Sequence, residues 1–235
     1  MGRQKYIIVM AGGSGRRMGG DTPKQFLEIK GKAILHRTLQ KFIDAFPDIR
    51  IITVLPSDHI PYWKKYCIEH NFFYPQSIVP GGITRFHSVK NGLEKVPEGA
   101  LVGVHDGVRP LVSVDLIRTT FGKAESHKAV IPILPCTDTL KAVAAKKNAS
   151  GEEYYETIPD LQFDRSIMFG AQTPQVFYSE LLKDAYNQAY ATSFTDDASV
   201  VAARGSAIFY TKGERLNLKI TTPDDMLIAD ALTRY

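Results

Sequence analysis

The sequence has no apolar run approaching the eighteen or so residues that cross a bilayer. Near its start only residues 6–10 are continuously apolar, and glycines close that run, which is too short for a signal peptide. No membrane partner is expected, and the expected location is cytoplasmic. Cysteine is scarce: Cys67 and Cys136 stand alone, without CxxC or Cys/His ligand spacing, and read as ordinary reduced thiols. A strong excess of one charge is also missing. The formal net charge is +4, with no stripe of Lys and Arg interleaved with aromatics, so nucleic acid is not expected and small anionic ligands fit better. No nucleophile stands with its base, no His/Asp/Glu cluster has metal-enzyme spacing, and no internal repeat is evident. With 44% hydrophobic and 23% charged residues over 235 positions, the chain is expected to be soluble and globular, one large domain over residues 1–235 with a small excursion.

What is present begins with residues 11–24, AGGSGRRMGGDTPK, directly after the apolar, β-branched run at 6–10. That run is short enough to read as a buried strand. It delivers the chain into a loop with five glycines and three cations, Arg16, Arg17 and Lys24. Glycine lets main-chain N–H groups converge on an anion, and the cations add charge where a polyphosphate would sit. A strand-to-helix turn with solvated cations is the plainer alternative. Two common glycine fingerprints fail here. A dinucleotide loop needs a third glycine where Met18 stands and an acidic residue after the second strand, where Leu55-Pro56-Ser57 is found. A P-loop needs Gly-Lys-Ser/Thr, but the loop ends Arg17-Met18-Gly19, and the later Gly31-Lys32 is followed by Ala33.

Further along, apolar periodicity predicts helices over 33–46, 59–70, 84–96, 116–126 and 179–192, and capping residues predict one from Thr221-Thr222-Pro223-Asp224-Asp225 through 233. Strands are expected at 49–55, 77–80, 101–105, 129–134, 207–211 and 216–220, the last carrying Lys219, with a short extended piece at 26–29. This alternation is α/β. Trp63 and Tyr66 read as packing groups. Gly81-Gly82 precedes a helix whose first turns hold Arg85 and Ser88, a second place where N–H groups suit a carbonyl-rich base or an anion. The fourth strand runs into HDGVRP, placing Asp106 where open α/β sheets keep their chemistry, able to hold a cation or a ribose hydroxyl, or simply to make an Asx turn. Arg109 reads as a substrate clamp. Residues 136–165 contain alternating segments at 137–143 and 153–158 around a polar stretch at 146–151, a hairpin arm with too little apolar surface for its own core. Such an arm needs a partner, a second copy being the simplest, or is a flexible insertion. In Thr195-Asp196-Asp197-Ala198-Ser199 a helix cap brings two carboxylates, which could be pure capping.

Cations at strand ends, without a nucleophile, suit a reaction that needs charge neutralisation and alignment, such as nucleotidyl transfer to a phosphate. A phosphate monoester, with a second pKa of about 6, is ionised at neutral pH and needs no general base. The blocks AGGSGRRMGGDTPKQFL, PGGITRFHSV, HDGVRP, TDTLK, DRSIMFGAQTPQVF, FTDDAS and LKITTPDD, in this order, resemble the 2-C-methyl-D-erythritol 4-phosphate cytidylyltransferases nearly end to end. The resemblance implies a Rossmann-like nucleotidyltransferase sheet, mixed and mostly parallel, with a protruding β-arm for dimerisation. It implies a Mg2+-dependent reaction of CTP with a polyol phosphate, pyrophosphate release, and a homodimer whose arms complete each other's sites. By motif, Ala11, Gly12, Gly13 and Gly15 would line the nucleotide, and Arg17 and Lys24 would stabilise charge on the α-phosphate and leaving pyrophosphate. Gly82 and Ser88 would read cytosine, Asp106 would hold ribose or substrate hydroxyls, and Arg109 would support the polyol. Thr139 and Arg165 from the partner's arm, with Lys219, would position the attacking phosphate. The metal's ligands are not implied. Ile83 stands where many relatives have an acidic residue, so a contact there must come from the backbone. Gly107-Val108 replaces paired alanines, which keeps ribitol 5-phosphate as an alternative acceptor, although DRSIMFGAQTPQVF and FTDDAS look more like the methylerythritol branch. A non-catalytic nucleotide-binding module is the reading from a different class, and a dehydrogenase a distant third.

Overall fold

The structure is a computed structural model and describes residues 2–13 and 22–233. The expectations for Gly15, Arg16 and Arg17 lie outside the described residues. Strand β1 (Lys5–Met10) pairs in parallel with β4 (Arg50–Leu55) on one side and β6 (Leu101–Asp106) on the other, and β4 pairs in parallel with β5 (Gln76–Pro80). Beyond β6 the sheet turns mixed. The antiparallel strand β11 (Gln175–Tyr178) pairs with both β6 and β7 (Ala129–Pro135). The far part of β7 takes β10 (Phe169–Ala171) antiparallel, and β12 (Phe209–Lys212) pairs with β7 in parallel. The sheet has eight strands among the described residues, and the expected mixed, mostly parallel α/β arrangement is present.

Alternation along β1 explains why both faces are covered. Ile7 and Val9 point into one apolar layer, Ile8 into the other, and all three are fully buried. The first layer is filled by α1 (Ile34–Ala45), α2 (Ile60–Glu69) and α4 (Val114–His127), through Leu39, Phe42, Trp63, Tyr66, Ile117 and Phe121. Leu35, Leu39 and Phe42 recur at helical spacing on one face of α1, and each such buried side chain contributes about 1.5–3 kcal/mol. The second layer takes α3 (Arg85–Leu93), α5 (Ser179–Tyr186) and α6 (Asp197–Ala203). A small hairpin, β2 (Glu28–Ile29) with β3 (Lys32–Ala33), and α7 (Pro223–Leu232) close a third cluster of Ile29, Ile34, Val108, Ile220 and Ala229. The expected start of α7 is present as a capping box between Thr222 and Asp225.

Four expectations are corrected. Residues 216–220 form no strand. Their apolar alternation imitates one, but Leu218 N–H donates to Leu216 O at 2.7 Å and Ile220 N–H to Val108 O at 2.9 Å, so the backbone turns and docks on the loop after β6. Helix α5 stops at Tyr186, six residues before the expected 192, because the Gln188 amide donates to Ala185 O and Val200 O at 2.7 and 2.8 Å, taking a terminal carbonyl of α5 and tying it to α6. At 26–29 a 3-10 turn, Lys24–Phe26, precedes the two residues of β2. In the arm the strands are β8 (Val143–Lys147) and β9 (Glu153–Thr157), the first beginning where the expected segment 137–143 ends. Asn148 Oδ1 accepts from the N–H groups of Ser150 and Glu152, so the turn starts later and Lys146 and Lys147 stay in the strand. These two strands form a sheet of their own, unpaired with the main one.

Candidate active site

The strand order reverses at β1 and β6, and crevices for ligands open at the carboxyl ends of strands at such a point. The pairing there runs to the last residue of each strand, Met10 opposite Asp106. Above it lies a cleft of about 330 Å³ whose lining includes Ala11, Gly12, Gly13, Lys24, Gly82, Ser88, Asp106 and Lys219. Two close approaches shape it. Gly107 N–H donates to Met10 O at 2.8 Å, and a Cβ on Gly107 would stand 3.0 Å from that same oxygen, so glycine lets the chain leaving β6 lie against the end of β1. On the opposite wall a Cβ on Gly82 would meet His87 Cβ at 2.5 Å, so the Gly81-Gly82 turn packs flush on α3 only without a side chain.

Ser88 works within this wall: its hydroxyl donates to Thr84 O at 2.9 Å and accepts from Gly82 N–H at 2.9 Å. Ile83 projects at the lip, 91% exposed. Lys24 lies close to the glycine loop, 3.7 Å from where a Cβ on Gly13 would stand.

Asp106 is the electrostatic centre. Arg109 Nε donates to its Oδ2 at 2.9 Å, and Lys219 Nζ lies 3.2 Å from the same oxygen. Burial opposes ionisation of Asp106, but Arg109, Lys219 and Arg85 outweigh it and hold the carboxyl well below the usual carboxylate range. Arg109 does not line the cleft. Its guanidinium sits against Asp106 and also donates to Asn217 O at 2.8 Å, so it braces the carboxylate from behind. Thr139 and Arg165, at the base of the arm, are exposed and do not line their own chain's cleft; Arg165 Nη1 donates to Thr137 O at 3.3 Å.

Sequence reasoning missed the layer behind Asp106. Asp106 N–H donates to Thr173 Oγ1 at 3.1 Å, Thr173 Oγ1 lies 3.0 Å from Nδ1 of the fully buried His105, and His105 Nε2 lies 3.4 Å from Arg109 O. The one assignment that satisfies every group has Thr173 O–H donating to Nδ1 and Nε2–H donating to the carbonyl, a neutral imidazole. Burial pushes His105 down to about 3, which fits that state. Asn217 adds its amide, donating to Thr173 O at 2.8 Å. Thr173 lay inside a quoted block, but nothing marked Asn217 apart from an apparent strand.

A pH dependence follows. His105, and His36, which burial lowers to about 4, stay neutral in the folded chain while unfolded histidines protonate near pH 6.5. The unfolded state therefore binds more protons from about pH 6.5 down to those folded values, and stability falls with pH by at most about 1.4 kcal/mol per unit for each histidine. Urea unfolding at pH 7 and pH 5 measures this, and His36→Gln is expected to reduce the difference; an unchanged difference in that variant would remove His36 from the account.

Comparison with known proteins gives a consistent result. The sequence profile described as 2-C-methyl-D-erythritol 4-phosphate cytidylyltransferase matches residues 6–235. The chain is 46% identical to the protein of that description from Bacteroides thetaiotaomicron over 231 residues, 97% of this chain and 99% of the other. It is 44% identical to one from Phocaeicola vulgatus, with the same coverage. Among solved structures, the 4-diphosphocytidyl-2C-methyl-D-erythritol synthase from Anaerococcus prevotii superposes with a TM-score of 0.77 at 27% identity, covering 100% of both chains.

Proposed function

Because the chain belongs to the 2-C-methyl-D-erythritol 4-phosphate cytidylyltransferase family, we infer that the cleft between β1 and β6 is where CMP passes from CTP to the phosphate of methylerythritol phosphate. The protein is a cytidylyltransferase. A phosphate oxygen of the acceptor bonds to the α-phosphorus of CTP, the bond from that phosphorus to the bridging oxygen breaks, and pyrophosphate leaves with the electron pair. Ribitol 5-phosphate is not favoured as acceptor, since the matching profile and both relatives carry the methylerythritol description. The observation that carries the reading is the meeting of Ala11, Gly12, Gly13, Lys24, Gly82, Asp106 and Lys219 in one cleft at the switch point of the sheet.

In this reading Ala11, Gly12, Gly13 and Gly15 would line the nucleotide, and Lys24 and Arg17 would meet the charge that builds on the phosphates. Gly82 and Ser88 face the base, Ser88 by holding the turn that presents main-chain groups. Asp106, braced by Arg109, is the acceptor for sugar or polyol hydroxyls. Lys219 aligns the attacking phosphate with the partner's Thr139 and Arg165. No general base is needed, because the acceptor phosphate is already ionised; His105 serves as a neutral support under Asp106.

The Mg2+ ion belongs with the substrate. Asp106, the acidic side chain among the described residues lining the cleft, is already engaged by two cations, and no group of three His, Cys, Asp or Glu suited to a metal occurs among those residues. Magnesium usually keeps several waters and binds through phosphate oxygens, so the ion would enter as the CTP complex and neutralise developing charge. No helix among the described residues is long and apolar enough to cross a membrane, and use of CTP fits the cytoplasm. The decisive assay is pyrophosphate release with CTP and each polyol phosphate in turn. Activity with ribitol 5-phosphate alone would move the protein to the sister branch, and calorimetric CTP binding without product would make it a non-catalytic module.

We propose further that residues 136–165 are an arm inserted in one nucleotidyltransferase domain and that it makes a homodimer. Val143, Tyr155, Leu161 and Phe163 are exposed on or beside it, and an isolated two-stranded sheet is marginal in water without a surface to cover it. Removal of residues 140–164 is expected to leave a monomer in sedimentation and to abolish turnover. Full dimerisation of the shortened chain would reject the arm as the interface.

A further inference from the structure

The second carboxylate of Thr195-Asp196-Asp197 is not a cap. Asp196 is, its side chain accepting from Ser199 N–H at 2.8 Å. Asp197 is fully buried and accepts from Arg85 through both oxygens, at 2.9 Å from Nη1 and 2.5 Å from Nη2, and from Tyr186 O–H at 2.6 Å. A buried ion pair without the rest of its hydrogen bonds would be costly, and here three donors meet one carboxylate. Arg85 is the first residue of α3, directly after the Gly81–Thr84 turn, and it lines the cleft that holds Asp106. On the other side, Gln175 of β11 donates to Asp196 Oδ2 at 2.8 Å and accepts from Ala198 N–H at 2.9 Å, so the start of α6 is anchored to the strand beside β6.

We propose that Asp197 is a positioning residue for the nucleotide: by gripping Arg85 it fixes the first turn of α3, and with it the Gly82 wall of the cleft, relative to the sheet that carries Asp106. This rests on the cleft being the CTP site. The grip is geometric as well as electrostatic, since the planar guanidinium meets the carboxylate with two parallel bonds that a lysine cannot reproduce. The wall touched in this way faces the nucleotide, whereas the phosphate acceptor sits across the cleft near Lys219.

The test compares the intact protein with Arg85→Lys, Tyr186→Phe and Asp197→Asn, varying CTP and methylerythritol phosphate separately and measuring CTP binding by calorimetry. Arg85→Lys is expected to raise KM and Kd for CTP by about tenfold, the worth of one charge-assisted hydrogen bond, with kcat and KM for methylerythritol phosphate within about twofold of the intact protein. Tyr186→Phe, which keeps the ion pair, is expected to shift KM for CTP in the same direction by about threefold. Asp197→Asn leaves the half-buried guanidinium of Arg85 without its counter-ion; if it does not fold, the other two variants decide. An unchanged KM for CTP in Arg85→Lys, or equal increases for both substrates, would overturn the proposal by reducing Asp197 to general support. Failure of the intact protein itself to bind CTP in the calorimeter would instead reject the assignment of the cleft.

Discussion

Lys24→Ala is expected to lower kcat for CMP transfer by about 10²–10³-fold, the usual loss when one preorganised donor to developing charge is removed. KM for methylerythritol phosphate should change by no more than about threefold. The difference comes from when the charge appears. Lys24 lines the cleft beside the glycine loop, where the triphosphate would lie, and negative charge on the leaving pyrophosphate grows only as the bond to the α-phosphorus breaks. An interaction that strengthens in the transition state raises kcat, while one already complete in the ground state changes only binding. Steady-state rates with each substrate varied separate the two, and equal losses in kcat and acceptor affinity would sink this role for Lys24.

Asp106→Asn should damage both stability and rate. Arg109 is only 11% exposed and would lose its counter-ion, which for a buried pair costs about 3–5 kcal/mol. Lys219 presents the contrast. At 44% exposure its side chain is well solvated, and Lys219→Ala should cost less than about 1 kcal/mol of stability while still lowering turnover. The loss in kcat/KM for Asp106→Asn is expected to reach at least about 10²-fold, because the residue sets the geometry of the floor on which both substrates would meet. The pH dependence has a definite sign. The folded carboxyl titrates below its unfolded value of about 4, so its contribution is complete above that value and is lost as pH falls below it. Urea titrations should therefore show the gap between the protein and Asp106→Asn narrowing in acid. A gap that is constant across that range would mean the carboxylate's charge is not what stabilises the floor.

The parts of the fold that were legible are those whose burial leaves a local trace. Residues 6–10 and 49–55 are short, β-branched and apolar because both faces of a central strand are covered, and α1 shows its one buried face in the spacing of Leu35, Leu39 and Phe42. Leu216, Leu218 and Ile220 carry a similar alternation for another reason. Ile220 joins the third cluster while the backbone between them turns, and alternation cannot distinguish these cases without the partner strand. The site divides in the same way. The glycine loop, Gly82 and Asp106 announce themselves by residue type at the end of an apolar run. Asp196 and Asp197 are adjacent and chemically identical, and only the packing of α6 against α3 and α5 makes one a cap and the other the partner of Arg85. Arg109 was legible as a cation just past the end of the fourth strand, but its bond to Asn217 O depends on a segment that returns to it 108 positions later.

The pairing of β1 with β6 up to Met10 and Asp106 sets the mechanics of the molecule. Neighbouring strands stand about 4.8 Å apart and resist shear, so the main chain leaving β1 and the carboxylate floor ride on a single ruler. On these two strands, the main chain at Ala11 and the carboxylate of Asp106 keep one fixed spacing.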